Sequence, residues 1–270
     1  MDYESYIIQT EPENKGRRSY NWKTAIGLQQ VDGLAASQYL IDTANSNIAG
    51  DISLGEVGRR INEYYEIKPA STDDEKRTEE ADKVSFRITE LLSADSFTLS
   101  PTHLASIHRH LFNGIYKDAG NFRDYNISKK EWVLNDVSVF YSDFRDIRAT
   151  YEYDFEREKS FNYDGLDAKG AVSRIVRFIS GLWQIHGFGE GNTRTIAVFT
   201  IKYLRSFGFD VDNDTFEKNS WYFRNALVRA NYSSRKFNIQ STSLFLDRFF
   251  DNLLFEGKHT LLNREQRVEP

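Results

Sequence analysis

No cysteine occurs in the 270 residues, which excludes both a disulfide framework and a thiolate metal site and suits a reducing compartment. Long hydrophobic runs are missing too: no stretch of about 18 apolar residues reads as a bilayer span. The opening stretch, MDYESYIIQTEPENKGRR, is acidic and interrupted by Pro12, unlike a secretory signal. An excess of either charge is also lacking. The formal charge of −5 gives no global field to draw in nucleic acid or an acidic membrane, although a local basic pocket is compatible with it. What is present is ample core material, with 40% hydrophobic and 14% aromatic residues. The length allows one large domain, or a core domain with a smaller appendage. The expectation is a soluble, cytoplasmic protein with neither a nucleic-acid nor a membrane partner.

Strand signals are sparse and helical spacing dominates, so the expected class is mostly α. Residues 1–20 read as a loosely ordered leader. Three short apolar-periodic segments follow, Trp22–Val31, Ser37–Ile48 and Ser53–Tyr65, the last opening on a Ser53/Glu56 capping-box pattern. They suggest a small three-helix module over 21–66. Pro69 and the polar stretch PASTDDEKRTEE read as a boundary or as the solvated start of the next helix. Longer helices are expected at 83–92, from Ser100–Pro101 to Phe112, at 143–158, 168–186, 192–207, 219–231 and 239–254. Between them, YNISKKEWVLNDVSVFY (125–141) places β-branched and aromatic residues on either side of Asn135–Asp136, a β-hairpin pattern.

The chemistry concentrates in His186-Gly187-Phe188-Gly189-Glu190-Gly191-Asn192-Thr193-Arg194-Thr195. Two apolar helices hold this loop. Its glycines permit close backbone approach to a ligand, and it ends at a helix N-terminus, where free N–H groups favour an anion. Asn192 and Arg194 add donors, and Arg suits phosphate geometry. Glu190 offers the hard oxygen that Mg²⁺ prefers, and Mg²⁺ commonly bridges one carboxylate and substrate phosphates. His186 can take a proton at neutral pH. Singly, each piece also fits a structural turn. Together they outline a phosphoryl-chemistry site.

The string resembles the Fic (Fic/Doc, Fido) signature His-Pro-Phe-x-Asp/Glu-Gly-Asn-Gly-Arg-x-x-Arg, matching at His186, Phe188, Glu190, Gly191, Asn192 and Arg194. Residues 75–255 look like a Fic domain throughout, with 256–270 as a C-terminal tail. Gly120-Asn121-Phe122-Arg123 resembles the lead-in to the family's β-hairpin flap, and 219–231 resembles the helix that shields adenine. The resemblance implies a Fic-type helical core in a bacterial protein that moves AMP from ATP, with Mg²⁺, to a Ser, Thr or Tyr hydroxyl of a target protein. In that scheme His186 is the general base and Glu190 holds the metal. Gly189, Gly191, Asn192, Thr193 and Arg194 bind phosphates, Tyr222 and Asn225 serve the nucleotide, and Phe188 anchors the loop. The flap residues Ile127, Ser128, Lys129 and Lys130 would align the target by strand addition. Self-modification at Tyr125, Tyr141, Ser128 or Ser138 is a further expectation.

Three positions depart from the pattern: Gly187 for proline, Thr193 for glycine, and Ala197 for the second arginine, which in relatives grips the γ-phosphate. Gly187 should loosen the turn and Thr193 should crowd the cradle. Residues 22–65 resemble the antitoxin module that pairs with Fic toxins, fused here to the toxin-like domain. Its inhibitory motif, Ser/Thr-x-x-x-Glu-Gly/Asn, is best matched at Leu28–Gly33, with Asp32 and Gly33 as regulatory candidates; a rival match, Asn45–Gly50, carries Ala49 where Glu would stand. With Ala197 in place of the partner arginine, Asp32 is expected to have nothing to grip. His103, His108 and His110 make a poor metal triad and read as packing or surface histidines. Glu75–Glu80 and Arg145–Arg148 read as solvated faces, and EREK at 156–159 shows nothing sharper. Alternatives are transfer of another phosphate-containing group, removal of AMP, or a degenerate nucleotide-binding or interaction module.

Overall fold

The computed structural model describes residues 14–268. Helix α1 (Lys15–Gly27) runs into a 3₁₀ turn, Leu28–Asp32, that ends on Gly33 in the left-handed region. Helices α2 (Gln38–Ala49) and α3 (Leu54–Ile67) start at Ser37 and Ser53, whose side chains accept from Leu40 N and Glu56 N. The expected capping box at Ser53 is only half made, because the Glu56 carboxylate is taken by Arg59 and Arg60. The complete box belongs to α4 (Asp73–Ser93), where Thr72 and Glu75 cap each other within the polar stretch after Pro69. Helix α5 (Pro101–Phe112) starts at Ser100, with proline in its first turn.

The hairpin forms as the sequence suggests. Strand β1 (Ser128–Glu131) pairs antiparallel with β2 (Val137–Phe140), placing Ser128 opposite Phe140 and Glu131 opposite Val137. A 3₁₀ turn, Trp132–Leu134, leads into Asn135 and Asp136, both at positive φ (56° and 62°), which Asn and Asp tolerate best among residues with a Cβ. The remaining helices are α6 (Ile147–Lys159), α7 (Ala168–Ile185), α8 (Asn192–Ser206), α9 (Thr215–Asn231, kinked at Asn219), α10 (Leu244–Leu254) and α11 (Asn263–Gln266).

Helix α8 is the axis of the fold, with every residue from Asn192 to Leu204 buried. The apolar stripe of α7 packs on it, and α5, α6, α9 and α10 complete the main core. Helix α1 serves two cores. Its Tyr20 and Ala25, with Leu28 of the following turn, join the main one, while Trp22 joins a smaller cluster with Leu40, Ala44, Val57 and Ile61. The Trp22 indole N–H donates to Asn47 Oδ1 at 2.9 Å. Where α1 ends it touches α9 backbone to backbone. A Cβ on Gly27 would lie 2.4 Å from Glu217 O, and Ser220 Oγ donates to Gly27 O at 2.7 Å. This contact fixes the position of the 3₁₀ turn carrying Asp32.

Two sequence boundaries change. Residues 1–13 of the expected leader lie outside the described residues, but from Lys15 onward the chain is helix because Asn14 caps it. The expected tail is docked: Gln266 is buried with Nε2 donating to Tyr222 O at 3.1 Å, and Val268 N donates to Val133 O at 2.9 Å. Within EREK, Glu158 is buried, paired with Arg174 at 2.6 Å and hydrogen-bonded by Tyr203. It braces α6 against α7 and α8.

Candidate functional site

Helix α7 stops at His186, whose left-handed φ of 51° turns the chain out of the helix. Gly191, at φ 71°, turns it into α8, and a Cβ there would lie 2.4 Å from Phe112. The loop between is tied from several sides. Arg123 N donates to Gly187 O at 2.9 Å, and its guanidinium donates to His186 O at 2.8 Å and to Tyr125 O at 2.6 Å. Asn192 spans the loop from within, accepting from Phe188 N and donating to Phe188 O. His108 stacks on Phe188 with centroids 3.8 Å apart, its Nε2 reaching Glu190 O at 3.0 Å while Nδ1 accepts from Gly120 N. Burial pushes the His108 imidazole down to about 4, so it stays neutral. It is a packing histidine, and it sets the height of the loop.

Gly187 is required here and does not loosen the turn. A Cβ would lie 2.5 Å from Tyr151 Cε2, and Gly187 N donates to Tyr151 Oη at 3.2 Å. Thr193 does not crowd the cradle either, because its hydroxyl accepts from Trp183 Nε1 at 3.0 Å.

His186 Nδ1 lies 3.0 Å from Trp183 O. A carbonyl only accepts, so Nδ1 carries the hydrogen and Nε2 is left with its lone pair. The ring is stacked on Tyr141 at 3.8 Å and meets the edge of Trp183 at 4.9 Å. Burial, with Arg224 and Lys129 adding to it, lowers the imidazole to about 3. At neutral pH it is an uncharged base. A cavity of about 320 Å³ adjoins it, walled by Glu190, the Gly191–Thr193 start of α8, the flap residues Ile127, Ser128 and Lys129, Tyr141, Asp32 and Arg224. Gly189 also lines it. Burial, then the nearby Asp32, raises the Glu190 carboxyl. Lys130 and Gly33 open onto an adjoining cleft of about 810 Å³ that shares Asp32, Lys129, Glu190 and Arg224 with the first.

The side chains of Arg194, Tyr222, Asn225 and Asn192 are engaged elsewhere than expected. Arg194 does not face the cavity. It is fully buried, with Nε 2.9 Å from Asp32 Oδ2, Nη2 donating to Glu80 Oε1 at 2.7 Å and to Tyr116 Oη at 2.9 Å, and Nη1 to Gln29 Oε1 at 3.0 Å. Burial opposes its charge, but Asp32, Tyr116 and Glu80 outweigh that and hold it protonated. Asp32 therefore has an arginine after all, the first of the signature. Tyr222 and Asn225 turn away from the cavity: Tyr222 packs toward Phe245 and Phe249, and Asn225 donates to Asn263 Oδ1 at 2.9 Å. Asn192 spends its side chain on the loop.

Glu80 is not marked by the sequence, because it lies in an acidic run with the pattern of a solvated face. Equally unmarked were Gln29, which holds Arg194 from behind, and Tyr116, Arg224 and Glu131, which form polar walls of the adjoining cleft. Arg224 sits three residues after Trp221 on the α9 face that meets the flap, with Nη2 2.7 Å from Glu131 Oε2. Among the described residues no group of three His, Asp or Glu side chains stands ready to hold a metal, and no helix is long and apolar enough to cross a membrane.

Residues 98–204, which carry this loop and the flap, match the Fic/DOC family. Protein adenylyltransferase VbhT from Bartonella schoenbuchensis is 29% identical over 116 residues, 43% of this chain but only 23% of VbhT. The probable protein adenylyltransferase y4lH from Sinorhizobium fredii is 24% identical over 172 residues, 60% of this chain and 80% of that protein. Among solved structures, the N-terminal FIC domain of Bep8 from Bartonella sp. 1-1C superposes with a TM-score of 0.56 at 17% identity, covering 69% of this chain and 88% of that one. A Fic family protein from Desulfovibrio desulfuricans gives 0.54 at 12% identity, covering 88% of this chain and 65% of its own. Signature loop, flap and helical core agree with this match: residues 98–204 form a Fic/DOC-family domain, and the fold is that of solved Fic structures.

Proposed function

We propose that the protein transfers AMP from ATP to a hydroxyl on a target protein. The observation carrying this reading is the tautomer of His186, which leaves Nε2 as a free base beside the start of α8. The target O–H would lose its proton to Nε2, its oxygen would bond to the α-phosphorus, and the bond to pyrophosphate would break. The first-turn N–H groups of α8 would receive the phosphates. Their charge would counter Arg224 and Lys129, raising the basicity of the imidazole when substrate is bound. The flap edge, Ile127–Lys130, would align the target segment by backbone pairing.

Mg²⁺ fits the donor set. Glu190 is one carboxylate bordering the cavity, and Mg²⁺ commonly takes one or two carboxylates together with substrate phosphates. When bound it would neutralise charge on the phosphate chain.

Residues 21–66 act as a regulatory module in this reading. Asp32, at the end of their 3₁₀ turn, neutralises Arg194 together with Glu80, keeping a signature phosphate ligand withdrawn. Incubation with α-labelled ATP and Mg²⁺, with and without bacterial lysate, tests the proposal on wild type and Asp32→Ala. Label on protein that disappears in His186→Ala is expected. Transfer of only a γ-label would make the protein a phosphotransferase, and no transfer by either form would leave a nucleotide-binding module.

A further inference from the structure

The cavity beside His186 carries its own charges, and apart from Glu190 they do not come from the signature loop. Asp32 and Glu190 contribute carboxylates, His186 is neutral, and Arg194 is turned away into a polar clamp. Among the described residues lining the cavity, Lys129 and Arg224 are the cations. They differ in kind. Lys129 is exposed on the flap strand. Arg224 is 4% exposed, with both Glu131 oxygens within 2.9 Å of its Nη2 and the Trp221 ring 4.9 Å from its guanidinium carbon.

We propose that Arg224, braced by Glu131, is a phosphate-contacting residue of the donor site, so that α9 supplies a guanidinium for an anionic nucleotide while Asp32 and Glu80 hold the signature loop's arginine away. This rests on the AMP-transfer reading for the identity of the donor. Three features carry it. A buried guanidinium is tolerable only with a partner, and Glu131 provides one without using the whole fork: Nη1 makes one long contact, 3.4 Å to Asn225 Oδ1. The planar fork is fixed before ligand arrives, so little entropy is lost when it binds phosphate. Arg224 also lines both the His186 cavity and the adjoining cleft, so a ligand extending from one into the other passes it.

The test is calorimetric titration of Glu131→Gln and of Arg224→Met/Glu131→Gln with Mg²⁺-ATP and with adenosine. The Glu131→Gln background avoids a stranded buried carboxylate. Arg224→Lys, which keeps a cation beside Glu131, serves as a second variant should the double variant not fold. Replacing Arg224 is expected to weaken ATP about tenfold or more, the size of a charge-assisted hydrogen bond, and to leave adenosine nearly unchanged. Equal losses for ATP and adenosine would make Arg224 structural and overturn the inference. So would unchanged ATP affinity, and label transfer persisting in such a variant would leave the AMP-transfer reading standing. ATP binding absent from wild type and Asp32→Ala alike would overturn both.

Discussion

Asp32 Oδ2 lies 2.9 Å from Arg194 Nε, joining the 3₁₀ turn after α1 to the first turn of α8. The arginine is wholly buried and the aspartate side chain is 29% exposed, so the contact sits at the mouth of a pocket and not in bulk water. With Ala197 in place of the second signature arginine, the sequence predicts an idle Asp32. Ala197 is fully buried in the core, and Asp32 uses the first arginine instead.

That contact changes what Asp32→Ala should do. Glu80 keeps Arg194 paired, but one of two neutralising charges is gone and the guanidinium becomes available to phosphate. The initial AMP-transfer rate is expected to rise about tenfold or more, equivalent to about 1.4 kcal/mol. Glu80→Gln should act in the same direction, and the double variant should exceed either. Rates measured at matched folded concentration decide it; no change in Asp32→Ala would mean that the clamp does not limit the proposed transfer.

His186→Ala should abolish transfer while ATP affinity, read by titration, stays within about threefold, since in the proposed reaction the ring acts on the proton and not on the phosphates. Retained transfer would remove His186 from the mechanism.

Two imidazoles held away from water, buried His108 and partly buried His186, make stability depend on pH. His186 falls to about 3 and His108 to about 4, both from an ordinary 6.5. Below 6.5 the unfolded chain binds protons that the folded chain refuses. The stability due to neutral burial is therefore full above 6.5 and lost progressively as pH falls toward 4 and 3. The urea midpoint should drop from pH 7 to pH 5, and His108→Gln should flatten that drop. Equal slopes for the variant and wild type would count against it.

Restoring the family's proline at position 187 should hurt. The ring would meet Tyr151, 2.5 Å from the Cβ position, and the N–H donated to Tyr151 would be lost. A loss of about 2 kcal/mol or more is expected in thermal or urea unfolding, with part recovered in Gly187→Pro/Tyr151→Ala. A fully stable Gly187→Pro would show that the loop relaxes freely.

Glu190→Ala should abolish the Mg²⁺ dependence of ATP affinity. Titration with and without Mg²⁺ reads this directly, and a wild-type affinity indifferent to Mg²⁺ would refute the assignment.

Local physics made several features legible from sequence alone. The apolar stripe of α7, the serine caps at Ser53 and Ser100, and the Asn135–Asp136 turn depend on residues a few positions apart, and all are present. The loop His186–Arg194 was readable for the same reason, since its glycines, base and carboxylate are neighbours in the chain. Its side-chain directions were not. Arg194 reaches Gln29 and Glu80 at separations of 165 and 114 residues, and no local rule distinguishes a clamped arginine from one facing phosphate. On α9 the sequence by itself determined a helix, but both sides of it are buried, so no polar stripe marked which side meets the cavity. Trp221 and Arg224 face the cleft, while Tyr222 and Asn225, about 100° further round, pack against the C-terminal segments. Only the tertiary structure could phase that helix, because the flap, α10 and the docked C-terminal segment that choose its faces come from distant parts of the chain.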